Sequence, residues 1–172
     1  MKAIFMLATV SLLLLFNFAS RTRMAASAQP VESQQSAAAP GPRIGHCLVY
    51  HERLRQVVLL DRYQSPYQPE LGEVWSWNGK QWVLIPGSGP MARSMSGAVY
   101  DSRRKRIVLY GGNRGIEDLK GDTWEWDGKS WSQMADTSVG TRDHHVMAYD
   151  AARGRAVMYG GETSTRSWAT DT

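Results

Sequence analysis

Thiol chemistry is almost absent: Cys47 is the one cysteine in 172 residues. A single thiol closes no intrachain disulfide, so a cross-linked mini-domain is excluded and packing must supply the stability. Long apolar runs are scarce too. The one at the start, Ile4 to Ala19, is broken by Thr9, Ser11 and Asn17 and is short for a membrane span. Lys2 precedes it, and Ala26-Ser27-Ala28 places small residues before a cleavage point. Residues 1–28 therefore read as a secretory signal peptide, which predicts a secreted or periplasmic protein. Membrane attachment is expected only if that segment stays uncleaved. Charge of one sign is the third thing lacking. Lys2, Arg21 and Arg23 leave with the signal, so 17 of the 20 basic residues face 16 acidic ones. A mature charge near +1 gives no large positive field, and nucleic acid is not an expected partner.

What is present is tryptophan and repetition. Seven tryptophans each offer about 150–250 Å² for burial. Residues 29–42 (QPVESQQSAAAPGP) have almost no large apolar side chain and read as a disordered linker. From Arg43 the chain aligns with itself. Arg43, Arg93 and Arg142 recur at spacings of 50 and 49, each followed seven residues on by Tyr50, Tyr100 and Tyr149. Gly111-Gly112 returns as Gly160-Gly161, and GEVWSWNGKQW (72–82) returns as GDTWEWDGKSW (121–131). A period near fifty with this content predicts a repeated β unit.

The middle repeat reads as four strands, a to d. Strand a spans about 94–100 and holds small residues. Strand b, 106–110, is β-branched and aromatic. Strand c is Thr123-Trp124-Glu125-Trp126, alternating with period two, and strand d runs from Lys129 to Met134. Asp127-Gly128 and Asn78-Gly79 signal type I′ hairpins. If those pairs are the two loop residues, Trp75 opposes Trp82 and Trp124 opposes Trp131, with Trp77 and Trp126 packing on the neighbouring unit. A sheet with one aromatic face cannot bury it alone, and stacking copies around an axis does.

These motifs resemble the kelch repeat: RxxH at Arg43–His46 and Arg142–His145, strands ending in Gly-Gly, and DTWEW…W at Asp122–Trp131. The chain looks like the bacterial exported kelch proteins that share a propeller architecture with galactose oxidase. The resemblance covers residues 43–172 and implies an all-β fold, an incomplete kelch-type β-propeller of about 2.6 four-stranded antiparallel blades, against the roughly 4–8 of a closed ring. The expected divisions are blade 1 at 43–92, blade 2 at 93–141 and a partial blade 3 at 142–172. Asp61-Arg62 stands where the family has Gly-Gly, and Ser96 where it has His. Because the pattern breaks off at Ala169–Thr172, the expectation is a fragment of a larger propeller, with completion by assembly, or self-association through open blade edges, as the alternative.

Few residues point to chemistry. Strand alternation would separate His144 from His145, and His46 and His145 are expected to hydrogen-bond within or between blades, so no metal is expected. Asp118, Asp143 and Glu162 are scattered in sequence. Cys47 lies beside His46, but the tyrosine and histidine copper ligands and tyrosine–cysteine cross-link of galactose oxidase-like enzymes match no residues here, so neither catalytic residues nor a cofactor are expected. Basic turns such as Arg103–Arg106 read as solvated loops, and the glycine pairs as tight backbone. The b–c loops, 63–71, 113–120 and 162–170, differ most between repeats. Tyr63, Tyr67, Arg114, Arg166 and Trp168 in them offer aromatic platforms and guanidinium forks for a protein or carbohydrate ligand. The expected function is a non-catalytic, exported binding scaffold. The alternatives are the N-terminal part of a kelch-type sugar-modifying enzyme (oxidase or epimerase) and a partial product with no activity of its own.

Overall fold

The computed structural model describes residues 39–60, 72–86, 89–90, 92–115, 117–135 and 139–172. The expected signal peptide and most of the linker lie outside them. The described residues are all-β, with no helix among them. Strands β1 (Cys47–His51), β2 (Gln56–Leu60), β3 (Val74–Trp77) and β4 (Trp82–Ile85) form one four-stranded antiparallel sheet in chain order. Strands β5 (Gly97–Asp101), β6 (Arg106–Tyr110), β7 (Thr123–Trp126) and β8 (Trp131–Gln133) repeat it. Next come β9 (Arg142–Asp143), β10 (Val146–Asp150), β11 (Arg155–Tyr159) and β12 (Glu162–Thr163), pairing as β10–β11 and β9–β12.

The second strand of each four-stranded sheet is buried on both faces, which is why it reads as a continuous apolar run. Val58, Ile107 and Leu109 are fully buried, and Leu60 nearly so. Each such side chain contributes about 1.5–3 kcal/mol of apolar burial. These residues share one core with Val49, Val74, Tyr100 and Trp126. The first strands pack side by side, β5 lying against both β1 and β10. Gly97 is where that approach is closest. A Cβ there would meet His145 Nε2 at 2.5 Å and Met147 Cγ at 2.7 Å of the next repeat. The glycine pair has the same logic: Gly111 and Gly112 carry φ of 64° and 91°, and a side chain at either would overlap the Arg142 carbonyl or the Ser96 hydroxyl.

The tryptophan register differs from the sequence expectation. Trp77 faces Trp82 and Trp126 faces Trp131, while Trp75 faces Leu84 and Trp124 faces Gln133. The cause is the side chain that opens each turn. Asn78 Oδ1 accepts the Lys80 and Gln81 N–H groups at 3.0 Å, and Asp127 Oδ1 accepts those of Lys129 and Ser130 at 2.8 and 2.9 Å. Asn78 and Asp127 thus stay at negative φ as flanking residues, and only Gly79 and Gly128 turn left-handed. The turn moves one residue along the chain and the pairing by two. A two-residue slip keeps every side chain on its face, so the tryptophans still share one side. The rings pair at centroid distances of 5.6 Å (Trp77–Trp82) and 6.3 Å (Trp126–Trp131).

Each repeat is also tied by an arginine. Arg93 donates to both Asp122 oxygens at 2.5 and 3.0 Å and to the Gly111 carbonyl at 3.0 Å. Arg142 does the same with Asp171 and Gly160, and Arg43 reaches Glu73 at 3.3 Å. The carboxylate in turn accepts an indole N–H, from Trp75 onto Glu73 at 2.8 Å and from Trp124 onto Asp122 at 2.6 Å.

The turn between β5 and β6 uses a buried acid. Asp101 Oδ1 accepts the Arg103 and Arg104 N–H groups and, at 2.6 Å, the Tyr149 hydroxyl of the next repeat. Burial alone would raise its carboxyl. The Tyr149 hydroxyl and the Arg104 backbone and guanidinium outweigh that and hold it at about 2, below the ordinary 3.8. A carboxyl depressed in the fold stabilises above its unfolded pKa and loses that contribution as pH falls through the folded one. Asp101 should contribute on the order of 1–2 kcal/mol near neutral pH, discounting for solvent at the turn. Urea unfolding of the wild type and of Asp101→Asn should therefore differ at pH 6, and the gap should close between about pH 4 and pH 2. A gap unchanged at pH 2 would assign the difference to packing instead.

Candidate functional site

Two kinds of loop gather at one edge of the sheets. The segments leading into the first strands carry Gly45, Met95 and His144, all left-handed (φ 64°, 58° and 53°). Met95 N–H donates to the Gly45 carbonyl at 2.8 Å, and His144 N–H to the Met95 carbonyl at 3.0 Å. The three repeats are thus joined at equivalent places. The loops that follow the second strands reach the same edge: Ser94 bridges Asn113, and Asp143 faces Glu162 across β9–β12.

Between the b–c loops of the second and third repeats lies an open cleft of about 430 Å³. Glu117 and Leu119 line it from one loop, Ser164 and Arg166 from the other, together with Thr141. Its described lining is polar and carries both signs of charge, with hydroxyls between them. That suits a hydroxyl-bearing ligand that both donates and accepts.

The residues expected from sequence fall unevenly around it. Arg166 lines the cleft, half-exposed, with Nη1 3.6 Å from Glu162 Oε1. Trp168 is 71% exposed, and its backbone bridges Glu162, so Arg166 and Trp168 belong to one short loop closed on itself. Arg114 is less available. Its guanidinium is mostly buried, 4.0 Å from Asp118, and its N–H donates to the Asp118 carbonyl at 3.1 Å. Tyr63 and Tyr67 lie outside the described residues. Glu117, Leu119, Thr141 and Ser164 were not singled out in sequence. Ordinary residue types in a variable loop carry no signal of their own, and only the topology places them together.

Two expectations about the histidines and acids need correction. His144 and His145 do not alternate along a strand, because β9 ends at Asp143 and β10 begins at Val146. The left-handed bend at His144 separates them instead: His144 is exposed and His145 is 5% exposed. His145 lies within hydrogen-bonding reach of the backbone of Asp143 in its own repeat and of Tyr110 in the preceding one. Neither ring nitrogen has a well-aligned partner. Burial, reinforced by the Arg142 cation, pushes the imidazole down to about 4 against the upward pull of Asp143. It is a neutral packing piece, its ring 5.6 Å from that of Tyr110. The second correction is that Asp143 and Glu162, distant in sequence, are neighbours in space, and His144 joins them.

No protein-family model matches the chain, and no curated protein matches it. Among solved structures it is similar to that of YjhT, with a TM-score of 0.55 at 13% sequence identity. The match covers 76% of this chain and 37% of that one, so the chain spans little more than a third of its neighbour's length. A likeness at that identity concerns the fold alone.

Proposed function

We propose that the repeated sheets are blades of an incomplete kelch-type propeller, and that the edge carrying the b–c loops is a non-catalytic recognition surface of an exported protein. Support for the propeller comes from the side-by-side first strands, the backbone relay through Gly45, Met95 and His144, and the repeated arginine clamp. The cleft between the second and third b–c loops carries the functional reading. Its size and its mixed polar lining suit a short segment of glycan, and exposed Trp168 lies in the loop that forms one wall. Indole faces pack on the apolar faces of sugar rings while guanidinium and carboxylate groups take the hydroxyls. The enzyme alternative has less behind it. Among the described lining residues Glu117 is the one carboxylate, and no second acid or base faces it across the cleft.

A glycan array probed with the full chain tests this reading. Wild type should retain a defined set of oligosaccharides. Arg166→Ala and Trp168→Ala should each weaken that retention by about tenfold, the loss of one good polar or stacking contact, with unchanged circular dichroism. Retention by both variants equal to wild type would remove the cleft from consideration.

A further inference from the structure

We propose that Asp143, His144 and Glu162 form a divalent-cation site, and that Zn²⁺ is the ion their donors suit. The proposal does not depend on the recognition reading above, although Glu162 contacts Arg166 of the cleft. One oxygen or nitrogen from each residue lies within 4.8 Å of the other two. Tetrahedral zinc holds its donors roughly 3.4 Å apart, so small side-chain rotations close the triangle. The backbone accounts for the convergence. Asp143 and Glu162 are direct partners in the β9–β12 register, and the left-handed turn at His144 brings Nδ1 to 2.9 Å from Asp143 Oδ1.

The decisive observation is the state of Asp143. Its side chain is 4% exposed. Oδ2 accepts the Asn113 amide, but Oδ1 has no hydrogen-bond partner, and His144 Nδ1 approaches it without the alignment of a donor. A buried carboxylate oxygen left in that condition is costly. A cation between it and the imidazole satisfies both atoms, and the Asn113 amide then orients the ligand as outer partners of metal ligands do. Glu162 supplies the third donor. It is held now by Arg166 at 3.6 Å, a contact loose enough to be exchanged for the ion. Exposure of His144 and partial exposure of Glu162 leave a fourth position for water. One imidazole and two carboxylates favour zinc over magnesium or calcium, which take oxygen donors in larger number.

Calorimetric titration of the chelator-stripped full chain with zinc chloride tests the site. One equivalent should bind, and Glu162→Gln and His144→Gln should each weaken binding about tenfold or more. Both substitutions spare buried Asp143, and circular dichroism reports whether each variant stays folded. If one does not, the other decides. Absence of stoichiometric binding to wild type overturns the proposal. So does undiminished binding to a folded variant, which would place the ion elsewhere, for instance near His46 and Cys47.

Discussion

Replacing Trp126 with alanine is expected to lower the unfolding free energy by about 3–5 kcal/mol, the range for deleting a buried aromatic side chain. Trp126 is 1% exposed and belongs to the core that both four-stranded sheets share. Its ring stands edge-on to His51 of the preceding repeat at 5.6 Å and lies near parallel to Trp131 at 6.3 Å. His51 is itself fully buried and rests on Tyr100 at 4.6 Å. Deleting the indole thus opens a void between two repeats that the hydrogen-bonded strands on either side cannot collapse to fill. Trp124, two residues earlier on the same strand, is the internal control. It is half-buried, and its indole N–H is spent on Asp122. Trp124→Ala should cost about 1–2 kcal/mol, a hydrogen bond and part of a burial. Guanidinium unfolding followed by far-ultraviolet circular dichroism separates the two. Equal losses would mean that the inter-repeat contact has no special weight.

Much of this architecture was legible in the sequence because repetition multiplies weak signals. A single RIVLY run is ambiguous between buried strand and buried helix. The same kind of run at 56–60, 106–110 and 155–159, each preceded by a polar turn, is not. Strands β6 and β7 fall where composition placed them. The hairpin register did not, because Asn-Gly and Asp-Gly have two uses. As a pair they fill a two-residue loop. Alternatively, the Asn or Asp side chain captures the next N–H groups and the glycine alone turns. Nothing in the dipeptide distinguishes these, and the second occurs here.

The candidate site was less legible, for a physical reason. Arg166 and Trp168 stand out as residue types in a variable loop and do reach the expected edge. The cleft's other walls are Glu117, Leu119, Thr141 and Ser164, which become neighbours only when successive repeats stack. Asp143 and Glu162 are 19 residues apart and meet because β9 pairs with β12, strands of two residues each. Strands that short leave no periodic trace. The left-handed φ at His144 was equally hidden. Its counterparts are Gly45 and Met95, and only the first of the three advertises such a conformation.

Arg93 should show the second large effect: Arg93→Met is expected to destabilise by about 3–5 kcal/mol, the cost of breaking a buried ion pair from one side. The guanidinium is 2% exposed and makes a two-pronged bond to Asp122 while its first nitrogen also serves the Gly111 carbonyl. Burial alone would raise the Asp122 carboxyl, but the Arg93 and Trp124 N–H donors together hold it below the usual carboxylate range. Removing the arginine strands that charge and leaves the carbonyl of a left-handed glycine unpaired. Arg93→Lys should fall between wild type and Arg93→Met, because an ammonium cannot reproduce a fork of parallel donors. The informative variant is Arg93→Met with Asp122→Leu. Deleting both charges removes the stranded carboxylate, so the double variant should be more stable than Arg93→Met alone. Denaturant unfolding of the three variants measures this. If the double variant is the least stable and its loss is the sum of the two single losses, Arg93 and Asp122 act independently. The clamp repeated at Arg43–Glu73 and Arg142–Asp171 would then be a packing coincidence rather than the link that fastens the first strand of each repeat to its third.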